Sequence, residues 1–226
     1  MLKRRLLKSG PESRFLKRAF ATGFKQDDTL PMIMLKELVL PTGVPDAVLI
    51  YQSQIQLDRV IPRRTFSTIH IQVIAHLYDV GRATTDELAT SLVIPRQSLQ
   101  IILQELAKAN LLELRKDKVY SRSLKKVFAA QRIIAIEAKL QNWRKALLQA
   151  TANFWFASHS YVLLPPLRCL NLIVKEAKKL GVGVLIFDGK KMRLAAKPKR
   201  RRLPVSYGSW LIHESALPRL VQGITL

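Results

Sequence analysis

Cysteine, acidic residues and long apolar runs are all scarce in this chain of 226 residues. A single cysteine, Cys169, excludes an intrachain disulfide and a cysteine-based zinc site, and its apolar neighbours predict a small buried residue. The four histidines are scattered and lack the spacing of metal ligands. No uninterrupted apolar run approaches the length that crosses a bilayer, so we expect no membrane partner.

Acidic residues are too few to balance the basic ones. Only 16 Asp and Glu side chains oppose 38 Lys and Arg side chains, which leaves a formal net charge of +22. This excess is far larger than solubility requires, and it indicates a polyanionic partner. Nucleic acid is favoured over an anionic membrane, and DNA over RNA.

The basic charge is concentrated in two runs. One occupies residues 1–25 and the other residues 190–202. A solvated surface would explain either run alone, but both in so basic a chain favour contact with phosphates, which gives affinity without sequence specificity. The residues predicted to bind nucleic acid at the second run are Lys197, Lys199, Arg200, Arg201 and Arg202.

The first run also has the composition of a transit peptide, since it is rich in arginine and poor in acids. The same residues equally suit an amphipathic first helix of the fold. The second interpretation is favoured, so the predicted location is the cytoplasm, in association with the nucleoid, rather than an organelle.

One apolar strand, residues 134–140, carries an acid and a lysine two positions apart. Because side chains alternate along a strand, Glu137 and Lys139 lie on one face, and the other face is purely apolar. Unpaired charges on a buried strand are costly, so the pair indicates either a site for a metal and an anion or an ion pair at an exposed strand end. The strand alone leaves both interpretations open.

The middle of the chain has a pattern of its own. Apolar spacing predicts helices over residues 66–78, 85–92 and 95–109, the second with acids in its first turn and the third opening at Pro95. A β-hairpin follows over residues 111–122. This order of elements resembles the winged helix-turn-helix family over its whole length.

That resemblance assigns roles to polar residues of the third helix and of the hairpin. It implies that the third helix enters the DNA major groove and that the hairpin, or wing, contacts phosphates. Because winged helices also serve as protein-interaction modules, base-specific recognition stays open. The residues concerned are Arg96, Gln97, Ser98 and Gln100 in the helix, and Lys116, Lys118 and Arg122 in the wing.

The segments on either side of this module form a second pattern. Before it, residues 35–51 read as a hairpin with a Pro/Gly turn, and after it the strand with Glu137 leads to a helix over 142–158. A strand, a helix and a last strand follow, ending at residue 187. We therefore predict a core domain built from residues 1–56 and 129–226, with a winged helix-turn-helix inserted at residues 57–128.

The core resembles the PD-(D/E)xK nuclease superfamily, whose fold is that of the restriction endonucleases. Pro45-Asp46 matches the PD element, Glu137-Ala138-Lys139 the (D/E)xK element, and Gln149 a glutamine on the following helix. Glu37 matches an additional acid of several branches. Branches with a glutamine on that helix often have a tyrosine four residues later, where this chain has Asn153. The resemblance implies an α/β fold with a mixed central sheet flanked by helices, and an α+β winged helix inserted in it.

The resemblance also implies a catalytic site and a cofactor, Mg²⁺ or Mn²⁺. Asp46 and Glu137 would bind the metal, and Glu37 would hold a second metal or position water. Lys139 would stabilise the charge of the pentacovalent phosphorus or assist the deprotonation of water, and Gln149 completes the catalytic set.

The sequence therefore predicts a metal-dependent DNA endonuclease that binds DNA with the help of the winged helix and the basic segments. A non-catalytic DNA-binding, regulatory or accessory protein that uses the nuclease fold as a scaffold is the alternative. A structural subunit whose basic arms bind RNA is a third. A homodimer is compatible with the resemblance, because many members of the superfamily act as dimers that cut both strands.

Overall fold

A computed structural model of the protein describes residues 10–23, 32–36, 38–41, 43–52 and 65–221. Within these residues the chain divides into two compact units. The winged-helix unit contains Gln52 and residues 65–130 and 205–221, and the sheet unit contains the described part of 10–51 together with 131–204. The sequence had assigned residues 205–221 to the core, whereas the structure groups them with the winged helix.

The helices and strands of the described residues are named here in chain order. They are α1 (Pro11–Gly23), β1 (Met32–Lys36), β2 (Ala47–Gln52), α2 (Thr68–Val80), β3 (Arg82–Thr84), α3 (Thr85–Leu92), α4 (Arg96–Lys108), β4 (Leu112–Arg115), β5 (Lys118–Ser121), α5 (Leu124–Val127), β6 (Ala130–Ala138), α6 (Trp143–Ala152), a 3-10 helix (Asn153–Trp155), β7 (His159–Leu164), α7 (Leu170–Leu180), β8 (Gly183–Phe187), β9 (Met192–Ala196) and α8 (Tyr207–Val221).

A mixed sheet organises the sheet unit. Its strand order is β1-β2-β6-β7-β8-β9, with β1 antiparallel to β2, β6 and β8 parallel to β7, and β9 antiparallel to β8. The predicted mixed α/β fold with helices is therefore confirmed. The prediction contains no strand at β9, because β9 lies within the basic residues 190–202, which were interpreted as a phosphate-binding segment.

The two faces of β6 differ as the alternation predicted. Ile134, Ile136 and Ala138 pack into the cluster that includes Leu16 and Ala19 of α1. The opposite face of the sheet is covered by a second cluster, to which α6 and α7 contribute apolar side chains. β6 ends at Ala138, so Lys139 and Leu140, the last two residues of the predicted strand, lie just beyond it.

Gly183, the first residue of β8, has no room for a side chain. An added Cβ atom would lie 2.6 Å from Cε1 of Tyr161, the residue opposite it on β7. We expect Gly183→Ala to lower the free energy of unfolding by about 1–3 kcal/mol, because the ring must move out of its packed position. Gly10→Ala is the matched control, since an added Cβ meets nothing within 4 Å there. Urea denaturation of both variants tests this, and equal stabilities would contradict the packing.

The winged-helix unit has the elements that the sequence predicts. Helices α2, α3 and α4 bury apolar side chains, and β3, β5 and β4 form an antiparallel three-stranded sheet. Helix α3 begins with a capping box, in which Thr84 accepts a hydrogen bond from the backbone of Glu87 and the Glu87 side chain accepts one from the backbone of Thr84. The turn between β4 and β5 places Lys116 in the left-handed region, with φ of 52°.

Helix α8 completes the winged-helix unit by packing against α2. Its Trp210 is fully buried, with its ring centroid 4.8 Å from that of Phe128 and 5.4 Å from that of Tyr78. His213 stacks on Phe128, and its Nε2 accepts a hydrogen bond from the backbone N–H of Ala129 at 3.1 Å. Helix α8 therefore stabilises the segment that leads into β6.

Cys169 is exposed rather than buried, because it occupies the position before α7 at the surface instead of facing a core. No helix among the described residues combines the length and the apolar content needed to cross a membrane.

Candidate active site and nucleic-acid interface

Asp46 lies against the end of β6, the strand that carries Glu137 and that Lys139 directly follows. It immediately precedes β2, which is the neighbour of β6 in the sheet. Its Oδ2 accepts a hydrogen bond from the backbone N–H of Ala138 at 2.8 Å. The sheet therefore brings the acid of the Pro-Asp element to the middle residue of Glu137-Ala138-Lys139, 92 positions further along the chain.

Glu137 is a buried carboxyl with one hydrogen-bond donor. Only 3% of the residue is exposed, and its Oε1 accepts a hydrogen bond from Nδ2 of Asn153 at 2.8 Å. Burial raises the pKa of Glu137 to about 7 against the opposing effect of that hydrogen bond, with smaller upward contributions from Asp46 and Glu12 and a downward one from Lys139. Near neutral pH this carboxyl is thus poised between its neutral and ionised forms, and a nearby cation would favour the ionised form.

Lys139 is held by an acid of the first helix. Its Nζ lies 2.7 Å from Oε2 of Glu12, and the side chains are 15% and 40% exposed, respectively. Burial alone would lower the pKa of Lys139, but the hydrogen bond to Glu12 and the charges of Asp46, Glu12 and Glu137 outweigh it and raise that pKa. Lys139 is therefore a firmly protonated cation, which suits the stabilisation of negative charge better than the deprotonation of water.

Sequence reasoning missed the roles of Glu12 and Asn153. Glu12 is the single acid among the basic residues 1–25, and that isolation is the one signal of its role that the sequence offers. Asn153 was noted only as a departure from tyrosine, and no local pattern indicates its contact with Glu137. Both contacts depend on how helices pack on the sheet.

Gln149 lies on α6, four residues before Asn153. Residues four apart on a helix share a side, so Gln149 is on the side of this segment from which Asn153 reaches Glu137. The Oε1 atom of Gln149 is buried and has no hydrogen-bond partner among the described residues. Such an acceptor is costly unless a water or a ligand donates to it. The role predicted for Gln149 stays a prediction, and Glu37 lies outside the described residues.

The described residues contain no group of three or more His, Cys, Asp and Glu side chains that could hold a metal ion. The sheet unit does offer two carboxylates, Asp46 and Glu137, that interact electrostatically in a partly buried setting. Mg²⁺ is commonly bound by one or two carboxylates, with water and substrate phosphate oxygens as its other ligands. The pair therefore fits that ion, although it lacks the ligands of a closed all-protein site.

The polar residues predicted on the third helix lie on the exposed side of α4. Gln97, Ser98 and Gln100 are exposed, and Arg96 forms an ion pair with Asp86 of α3, Nη1 to Oδ1, at 3.1 Å. On the wing Lys116 is exposed and Lys118 half-buried.

The third residue predicted for the wing, Arg122, has partners within the fold. Its Nε lies 3.7 Å from Oε1 of Glu113, and its backbone carbonyl accepts a hydrogen bond from the hydroxyl of Tyr78. Arg122 is thus more constrained than the two wing lysines.

The basic residues 197–202 are attached to the sheet unit along their backbone. The N–H of Lys199 donates to the carbonyl of Gly181 at 2.9 Å, and that of Arg201 donates to the carbonyl of Ser158 at 3.1 Å. The guanidinium of Arg201 lies over the ring of Phe154, 3.8 Å from its centroid. The predicted phosphate-binding side chains of Lys197, Lys199, Arg200, Arg201 and Arg202 are exposed on this docked segment.

Comparison with known proteins identifies the class of the inserted module. A family model described as the MarR family matches residues 65–123, which run from the residues before α2 to those just after β5. The predicted winged helix-turn-helix is therefore confirmed, and it is a domain of the MarR type. No curated protein and no solved structure matches the chain. The sheet unit lies outside the matched residues.

Proposed function

We propose that the protein binds duplex DNA through its winged-helix unit. The MarR-type domain is the observation that carries this proposal. The exposed polar side of α4 suits the major groove, and Lys116 at the wing turn suits the phosphate backbone. The net charge of +22 adds long-range attraction to a polyanion.

Salt dependence tests this mode of binding. We expect Lys116→Ala to weaken duplex binding regardless of sequence and to reduce the slope of log affinity against log salt by about one, because one phosphate contact is lost. Lys179→Ala is the matched control, since Lys179 is exposed on α7 of the sheet unit and pairs with Glu176. Fluorescence anisotropy at several salt concentrations measures the slope. An unchanged slope for Lys116→Ala would remove the wing from the interface.

We propose, as a second function, that the sheet unit hydrolyses phosphodiester bonds with Mg²⁺ or Mn²⁺. The specific observation in its favour is a buried Glu137 with its pKa near 7, electrostatically coupled to Asp46 and Lys139. The order of a helix, two antiparallel strands, β6, a helix and the parallel strand β7 is also the order that the PD-(D/E)xK resemblance implies.

Each residue of this second proposal has a stated role. Asp46 and Glu137 would hold the cation, which when bound supplies charge neutralisation at a phosphoryl oxygen and activation of water. Lys139, fixed by Glu12, places a positive charge where the phosphoryl group gains negative charge. The buried Oε1 of Gln149 can accept a hydrogen bond from a water molecule bound at the site.

The rival proposal is a DNA-binding regulator whose sheet unit is only a scaffold. The MarR-type domain favours this rival, because it accounts for DNA binding without any cleavage. Duplex binding without Mg²⁺-dependent cleavage, unchanged by Asp46→Ala, would support it. An RNA-binding role is separated from both by competition between RNA and DNA for the labelled duplex. The homodimer stays a prediction that sedimentation equilibrium can test.

A further inference from the structure

The exposed side of α4 has an unusual composition for a surface helix. Leu99, Ile102, Leu103 and Leu106 are buried, and the exposed side carries Gln97, Gln100, Ile101 and Gln104. Ile101 is 60% exposed although it is a large apolar residue. Its position among glutamines places an apolar group in the centre of the side that would face DNA.

Each of these types of side chain can contact a group that an A·T base pair presents in the major groove. A glutamine amide can donate to N7 and accept from N6 of adenine, and an apolar side chain can contact the C5-methyl group of thymine. Guanine is most often read by arginine or lysine. In the first turn of α4, Arg96 is the one residue of these two types, and its guanidinium forms an ion pair with Asp86.

The spacing of the four residues suits consecutive base pairs. Positions 97, 100, 101 and 104 follow the i, i+3, i+4, i+7 pattern, so they lie on one side of the helix. At a rise of about 1.5 Å per residue they extend over roughly 10 Å. That length corresponds to about three base pairs of duplex DNA, each advancing roughly 3.4 Å.

We infer that α4 selects A·T-rich duplex DNA, with Gln97 reading adenine and Ile101 reading the methyl group of thymine. This inference rests on the proposed binding of DNA by the winged-helix unit. It adds to that proposal a base composition and the two residues that discriminate it. The wing and the basic segment contribute affinity that is independent of sequence.

Selection by the full-length protein from a random duplex library identifies the preferred site, and we expect A·T pairs at the positions under α4. In that site, replacing thymine by deoxyuracil removes only the methyl group. We expect the substitution to weaken binding of the parent about fourfold per contacted methyl, as for the loss of one buried carbon. The Ile101→Ala variant should bind the two duplexes equally.

Replacing adenine by 7-deazaadenine tests the second residue in the same way. We expect about a tenfold loss for the parent, because a bidentate pair is broken, and no loss for Gln97→Ala. Leu148→Ala is the matched control for Ile101→Ala, since Leu148 is 69% exposed on α6 of the sheet unit. The control should retain the full sensitivity to deoxyuracil.

The possible outcomes distinguish this inference from the proposed DNA binding on which it rests. A selected site rich in G·C pairs, no base preference, or a deoxyuracil effect that persists in Ile101→Ala would overturn the inference while DNA binding stands. Failure to bind any duplex would overturn both. Loss of the deoxyuracil effect in Ile101→Ala alone, with the Leu148→Ala control unchanged, would establish it.

Discussion

Replacing Glu137 by glutamine is expected to slow Mg²⁺-dependent DNA cleavage by about 100-fold or more. Glutamine keeps the size of the side chain and can still accept the hydrogen bond from Asn153, so the fold around β6 should persist. It cannot carry the negative charge that a divalent cation requires. Single-turnover nicking of supercoiled plasmid, compared between parent and variant at equal protein concentration, measures the effect.

Two controls make the cleavage result specific. Glu176→Gln removes a half-buried acid of α7, far from Glu137 in sequence, that pairs with Lys179 of the same helix, and it should cleave at the parental rate. Duplex binding by Glu137→Gln should remain within about twofold of the parent, since the winged helix is untouched. If the parent nicks plasmid and Glu137→Gln nicks it equally fast, Glu137 is not part of the site.

The same substitution is expected to stabilise the metal-free protein at alkaline pH. The pKa of Glu137 is raised from 4.5 to about 7 in the folded state. Between these values the unfolded chain has released the proton and the folded chain retains it, so stability falls as pH rises through the window. Above pH 7 Glu137 is ionised in both states, and the resulting loss in the free energy of unfolding reaches its full value of about 3 kcal/mol.

Urea denaturation in the presence of a chelator tests the direction of this change in stability. Glu137→Gln should exceed the parent in the free energy of unfolding by up to about 3 kcal/mol at pH 8, and by much less near pH 5. Glu176→Gln is again the control, because the hydrogen bond from Lys179 lowers the pKa of Glu176 rather than raising it. A variant that is less stable than the parent at pH 8 would show that ionised Glu137 is stabilised by its surroundings.

The presence of so costly a group in the sheet unit is itself informative. A buried acid whose pKa is shifted by burial and by specific charged neighbours is typical of functional sites, where stability is lost in exchange for activity. A purely structural role for Glu137 would be served as well by an amide. The burial of Glu137 beside Asp46 and Lys139 therefore supports the proposed chemical role of the sheet unit independently of any family resemblance.

Local sequence patterns predicted those parts of the structure that depend on local rules. The period of two along β6 separated Glu137 from the apolar residues that pack on α1, as the structure confirms. The helical spacing and the turn at residues 93–95 identified the winged helix, as the MarR-family match confirms. In both segments the periodicity of apolar residues corresponds directly to burial.

Contacts between segments that are far apart in the chain could not be predicted from such patterns. Glu12 reaches Lys139 across 127 positions, and this requires α1 to lie over the end of β6. Helix α8 joins the winged-helix unit, because Trp210 and His213 are buried against residues that come before β6. Neither arrangement has a local signature, since each depends on which apolar surfaces meet in the folded chain.

The nuclease proposal is tested most directly by plasmid nicking and duplex binding measured side by side for the parent and Asp46→Asn. Asparagine can still accept the hydrogen bond from Ala138, so the variant should keep the fold and bind duplex DNA like the parent. A metal site at Asp46 and Glu137 predicts Mg²⁺-dependent nicking by the parent and its loss in Asp46→Asn. Equal binding by both proteins with no nicking by either would overturn the nuclease proposal and leave a DNA-binding regulator.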